Sequence, residues 1–212
     1  MTRGRFITFE GIEGAGKSSL LRAMATALAE RENARPTGRA IITTREPGGT
    51  PLAEAIRALV LARREAGMPP ATELLLMFAA RAAHVAQLIE PALARGDWVL
   101  CDRFTDASRA YQGGGRGLDT SSIDSLAEMA HPGLAPDLTL LLDLPPELGL
   151  QRARGRGDAG DRFEDEALGF FTRVRARYLE LAAREPRRIH VLDATQPPGA
   201  LLLQALALVQ AL

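Results

Sequence analysis

The stretch FEGIEGAGKSS, residues 9–19, contains the only lysine among the 26 lysines and arginines of the chain. Gly11, four residues, then Gly16-Lys17-Ser18 fits the G-x-x-x-x-G-K-[ST] spacing of a phosphate-binding loop. Glycines let the backbone turn tightly, so that successive N–H groups point at phosphate oxygens, and the following helix adds the positive end of its dipole. The lone lysine suits this position, because a compact, rotatable ammonium reaches along a phosphate chain where a planar guanidinium is bulkier. Ser18 offers a hydroxyl to Mg²⁺. The context agrees with the motif. RFITF before it is β-branched and aromatic, a short buried strand, and SSLLRAMATALAERE after it has helical periodicity. The reading places Gly11, Ile12, Glu13, Gly14, Ala15, Gly16, Lys17, Ser18 and Ser19 against ATP.

Working outward, four further apolar runs read as strands: 39–44, 97–102, 136–144 and 187–194. Helical patterns lie between them, at about 17–32, 51–65, 71–95 with a kink at Pro91, 120–130, 146–154, 164–184 and 198–211. Alternating strands and helices predict an α/β fold, a doubly wound five-stranded parallel sheet covered on both faces. The 212 residues suit a single domain, 1–212, with no repeat or interdomain linker. Ligands of such sheets bind at the carboxyl ends of the strands. Polar and glycine-rich residues come after each strand: TREPGGTP, DRFTDASRAYQGGGRG, LDLPPELGLQRARGRGDAGDR and DATQPPG.

Composition excludes several classes. The chain is 46% hydrophobic, 25% charged and formally neutral, which gives no electrostatic argument for nucleic acid or an acidic membrane. The one cysteine, Cys101, excludes an internal disulfide and a four-cysteine metal site, and reads as a buried thiol. With no signal-peptide pattern and no uninterrupted apolar run of about 18 residues, a cytoplasmic protein is expected. A guanine-reading N-K-x-D cannot be written, since Asn33 and Lys17 are the only residues of their types. A small kinase acting on a bound metabolite fits the length. Such an enzyme must neutralise two phosphate clusters and exclude water. Arg45 and Arg103 come after the second and third strands, and RARGRGDAGDR, 152–162, reads as a basic closing lid at about 152–163 rather than an RNA-binding loop, which would want aromatic interleaving. Another nucleotide kinase and a P-loop switch protein without acceptor turnover are the alternatives.

Over nearly its whole length the chain resembles the bacterial thymidylate kinase (dTMP kinase) family. The resemblance runs from FITFEGIEGAGKSS through TTREPGGTPLAEAIR, LLLMFAARAAHV, DRFTDASRAYQGGGRGL, PDLTLLLDLPPELGLQRARGRG and FFTRVRARYLELA to DATQP. It implies transfer of the ATP γ-phosphoryl group to dTMP with Mg²⁺, in a homodimer, with no nucleic acid or membrane partner. By resemblance, Phe78 and Arg81, three apart on one helical face, form the thymine site. In some relatives the aromatic stands four before the arginine, where this chain has Met77. Ser108 and Gln112 resemble contacts to the base edge, Tyr111 lies against the sugar, Pro47 shapes the sugar wall, and Arg45 and Arg103 clamp the dTMP phosphate. Glu10 and Asp102 order Mg²⁺ or orient the acceptor and Arg103, with Asp102 and Ser18 on the metal side. Glu13, where some members carry arginine, marks the type with a basic lid. Arg156, or Arg154, then swings onto the transferring phosphoryl, and Arg152 stacks on adenine.

Overall fold

The computed structural model describes residues 3–34, 38–155, 162, 163 and 165–212. Five strands, β1 (Phe6–Glu10), β2 (Ile41–Arg45), β3 (Trp98–Asp102), β4 (Leu138–Asp143) and β5 (Ile189–Asp193), form one sheet in the order β2-β3-β1-β4-β5. All pairings are parallel. The three central strands are buried along nearly their whole length, as strands covered on both faces must be. Alternation divides β1 and β3 between two cores. Ile7, Phe9 and Leu100 pack with one set of helices, while Phe6, Val99 and Cys101 pack with Val85, Ile89 and Leu93 on the other.

The main helices are α1 (Lys17–Ala34), α2 (Pro51–Leu61), α3 (Pro70–His84), α4 (Glu90–Ala94), α5 (Thr105–Ser108), α6 (Thr120–Ala130), α7 (Pro146–Arg154), α8 (Leu168–Arg184) and α9 (Pro198–Gln210). The kink expected at Pro91 is a wide turn. α3 continues through a π-helical segment, Val85–Ile89, into α4, and the Glu90 N–H donates to Val85 O, five residues back. Proline has no N–H to give, and the widened turn just before it absorbs the interruption. By length and hydropathy the continuous helix Pro70–Ala94 could cross a membrane. It carries buried Glu73, Arg81 and His84, each held by polar partners inside the protein.

Two expectations fail locally. α2 stops at Leu61 rather than 65, and α8 begins at Leu168 rather than 164. The polar, glycine-rich segment after β3, outside the helices expected from the sequence, is helical: α5 runs on through π-helical turns, Arg109–Gly115. Its glycines serve packing. A Cβ on Gly115 would stand 2.4 Å from Phe170 Cε2, and one on Gly114 would stand 2.7 Å from Arg177 Cβ. Their absence lets α8 close on this helix and seals Tyr111 between Phe170 and Tyr178.

Gly115→Ala should therefore lower stability by about 1–3 kcal/mol through overpacking, although alanine is the better helix former. Thermal unfolding checks this, with Gly199→Ala as control: that position, in the first turn of α9, has open space and should lose nothing.

Candidate active site

The sheet order puts β1 between β3 and β4, so the crevice at its carboxyl end opens where the connections diverge. There Gly11, Gly14 and Gly16 adopt φ of 136°, 73° and 92°, the left-handed conformations the loop needs. A Cβ on Gly14 would meet Gly149 O of α7 at 2.1 Å, so loop and helix are locked backbone to backbone. The loop leads into α1, where the N–H groups of Ser19 and Leu20 donate to Gly16 O. Lys17 Nζ folds back on Ile12 O at 2.9 Å. Burial, and then the neighbouring Arg103, lower its pKa from 10.5 to about 8.

Arg103, directly after β3, is the one non-glycine residue with positive φ, 74°, among the described residues. Left-handed backbone costs about 1–2 kcal/mol for an ordinary residue. Its guanidinium shows what holds it: Nη1 donates to Gly11 O and Tyr178 Oη, and Nη2 to Glu13 Oε1 and Tyr111 Oη, at 2.9–3.3 Å. Burial pushes the phenols of Tyr111 and Tyr178 well above their ordinary range. Both therefore remain donors, Tyr111 to Glu13 Oε2 and Tyr178 to Glu10 Oε2, each at 2.6 Å. The Glu10 Oε1 atom accepts from Phe104 N at 2.7 Å. Burial, and then Asp106, raise the Glu10 pKa to about 7. Fully buried, with both oxygens engaged by protein donors, Glu10 braces the turn that carries Arg103.

Beside Arg103 a cleft of about 440 Å³ is lined by Glu13, Glu46, Pro47, Arg57, Met77, Tyr111, Gln112 and Phe163. Several sequence expectations change here. Glu13, assigned to the ATP side, faces this cleft. Phe78 does not line it: its ring packs with Leu74, Ile123 and Ala127 and lies under the Arg81 guanidinium at 4.5 Å. The two residues do share a helical face, but they stack on each other, with Phe78 packed toward α6 and Arg81 turned to Glu46, Ser108 and Phe104. Met77, one position earlier, projects into the cleft. Arg81 and Ser108 also stand behind the wall. Arg81 donates to Glu46 Oε2, Ser108 Oγ and Phe104 O. His84 completes this buried group on Glu46 Oε1. Burial alone would raise the Glu46 pKa, but Arg81 and His84 hold it below its ordinary value. Gln112 is fully buried, and its Oε1 has no hydrogen-bond partner among the described residues, while its Nε2 donates to Glu73 Oε1 at 2.8 Å.

A second, more open cleft of about 840 Å³ lies along the other side of the loop and includes Ser18, Arg22, Arg45, Glu54 and Asp102. The Ser18 hydroxyl donates to Asp102 Oδ2 at 2.5 Å. Arg45, expected at the acceptor phosphate, sits here and is paired with Glu54. Besides Arg103, the arginine that lines the first cleft is Arg57, which donates to Pro47 O. It closes the stretch TREPGGTPLAEAIR and lies one helical turn beyond Ala53, which was the available signal. Phe163 was missed because it comes after the basic run without any periodic cue. Arg152 donates to Ala194 O at 3.0 Å, so α7 and the DATQPP loop do meet. Arg156 lies outside the described residues. Arg154 is exposed at the end of α7.

The family model described as Thymidylate kinase matches residues 9–204. The chain belongs to the thymidylate kinase family. It is 57% identical to the thymidylate kinase of Alkalilimnicola ehrlichii over 95% of this chain and 90% of that protein. With the thymidylate kinase of Cupriavidus pinatubonensis identity is 56%, over 92% of each. Among solved structures it is similar to the crystal structure of thymidylate kinase from Ehrlichia chaffeensis, with a TM-score of 0.77 and 31% identity, covering 98% and 99% of the two chains. As a thymidylate kinase family member the chain is a kinase, and its fold is the family's.

For a kinase of this family the Lys17 environment has a measurable consequence. A bound polyphosphate restores the ammonium, so nucleotide binding should take up a proton between the lowered pKa of about 8 and the ordinary 10.5. Calorimetry at pH 8.5 in two buffers of different ionisation enthalpy should show uptake of about half a proton or more, shrinking toward pH 7. Buffer-independent heats at pH 8.5 would refute the assignment.

Proposed function

We propose that this chain transfers the γ-phosphoryl group of ATP to dTMP, giving dTDP and ADP. The observation that carries the thymine reading is the orphaned acceptor of Gln112 at the cleft. A buried carbonyl without a donor costs about 1–3 kcal/mol, and the N3–H of thymine supplies that donor. Cytosine presents a bare N3 there and would meet the carbonyl lone pair to lone pair. Met77 lies against the base, with its polarizable thioether. Tyr111 and Glu13 face the sugar, and Pro47 forms its wall.

The acceptor phosphate is already an oxyanion nucleophile, so catalysis rests on positioning and charge neutralisation. Arg103 receives that phosphate, aided by Arg57, and Glu10 keeps Arg103 aimed through Phe104 and Tyr178. Lys17 leaves Ile12 O for the β- and γ-phosphates. Ser18 and Asp102 would hold Mg²⁺. One hydroxyl and one carboxylate, hard donors already in contact, suit an ion that keeps waters and phosphate oxygens in its shell. Among the described residues no group of three or more His, Cys, Asp or Glu forms a preassembled cage. When bound, the metal neutralises charge on the transferred phosphoryl group. Arg156 and the lid at 152–163 would close over that group, and Arg152 would lie against adenine. Leu52, Leu59 and Leu75, all more than half exposed on the packed pair α2 and α3, suit burial in a homodimer.

Coupled ADP-release assays test the reading. dTMP should be the preferred acceptor, and Lys17→Ala should abolish turnover without unfolding. Met77→Ala should weaken dTMP by about 10-fold, in line with lost apolar contact, with ATP affinity intact. Phe78→Ala should instead lower thermal stability by about 3 kcal/mol or more. Selective loss of dTMP affinity on changing Phe78 alone would reverse the assignment.

A further inference from the structure

We infer that Glu73 is a positioning residue that sets the polarity of the base-reading amide of Gln112; this rests on the thymine reading above. Glu73 stands on α3 one helical turn before Met77 and is fully buried. It does not line the acceptor cleft. Its carboxylate accepts from Gln112 Nε2 at 2.8 Å, from Arg116 Nη2 at 3.1 Å and from Arg162 Nη1 at 2.7 Å. A carboxylate can only accept, so the amide end turned toward it must be the NH₂ group. The carbonyl is then forced to the other side, where no group among the described residues donates to it. A glutamine alone reads equally well in two orientations. Glu73 removes one of them, and so turns an ambiguous side chain into an acceptor fixed for an N–H donor. The two guanidiniums hold the carboxylate in place, and one of them, Arg162, precedes Phe163 of the cleft wall.

The logic predicts what a neutral isostere does. In Glu73→Gln the two guanidiniums claim the new side-chain oxygen. Its NH₂ group then faces Gln112, whose carbonyl turns to meet it, and the Gln112 NH₂ group points into the cleft. The site would then favour an acceptor at base position 3. Adding Gln112→Glu should restore the original polarity: the residue at 73 donates to one carboxylate oxygen, and the other faces the base.

The test compares kcat/KM for dTMP and 5-methyl-dCMP, which share the methyl group and differ along the pairing edge. In Glu73→Gln the ratio of dTMP to 5-methyl-dCMP should fall by about 10-fold or more, the scale of a mismatched buried hydrogen bond. It should recover in the double variant Glu73→Gln/Gln112→Glu. A parallel fall for both substrates, or a double variant that restores nothing, overturns the role of Glu73. If Glu73→Gln does not fold, the wild-type protein decides. The Gln112 side-chain NH₂ protons should give one pair of sharp, slowly exchanging NMR signals both without dTMP and with it, and exchange broadening by amide flipping contradicts the inference. Gln112→Ala separates the two levels. Unchanged dTMP affinity there sinks the thymine reading itself, whereas lost affinity combined with an unchanged ratio in Glu73→Gln sinks only the role of Glu73.

Discussion

The Arg103 guanidinium ties together three stretches of chain: the phosphate loop, the π-helical turns after α5, and α8. It bonds the backbone of the phosphate loop at Gly11, the loop carboxylate at Glu13, and the phenols of Tyr111 and Tyr178. To reach them the backbone leaves β3 in a left-handed conformation that only glycine adopts freely. The Arg103 N–H is received by Phe9 O, and the next N–H by Glu10. A strained residue held by this many partners marks a site where position matters more than comfort. The arrangement fixes the distance between loop and acceptor cleft before either substrate arrives, and a preset geometry of this kind is where phosphoryl transfer gains most of its rate.

Behind the cleft, buried charge does the aiming. Glu46 is held by Arg81 and His84, and Glu73 by Arg116 and Arg162. Ion pairs this deep contribute little net stability, because desolvation offsets most of the attraction. Their value here is directional. The first group fixes the segment that leads into Pro47, and the second fixes Gln112. Glu10 shows the accompanying cost. With its pKa raised to about 7, it contributes stability below its ordinary value and loses it as pH climbs through 7, where ionisation proceeds inside the protein.

Much of this was legible in the sequence. The P-loop spacing located β1, the loop and α1, and apolar runs located the other four strands. The polar segments at the strand ends pointed to the rim where Lys17, Ser18, Asp102, Arg103, Tyr111 and Gln112 gather. The failures have physical causes. QGGG gives no helical signal because glycine lowers helix propensity, yet these glycines let α8 approach a helical segment. Phe78 and Arg81 do share a helical face, but periodicity cannot say what that face meets, and here Phe78 meets α6 while Arg81 meets Glu46, Ser108 and Phe104. Arg57 and Arg45 have the same chemistry, so only the course of α2 tells which one reaches the cleft. Glu73 carried no motif at all, since its partners lie about 40 and 90 residues away.

The most direct measurement is a crystal structure of the chain with dTMP bound. The account predicts the phosphate against Arg103, the base beside Met77, and its N3 within hydrogen-bond distance of Gln112 Oε1. A phosphate held away from Arg103, or a base seated on the ring of Phe78, would contradict it.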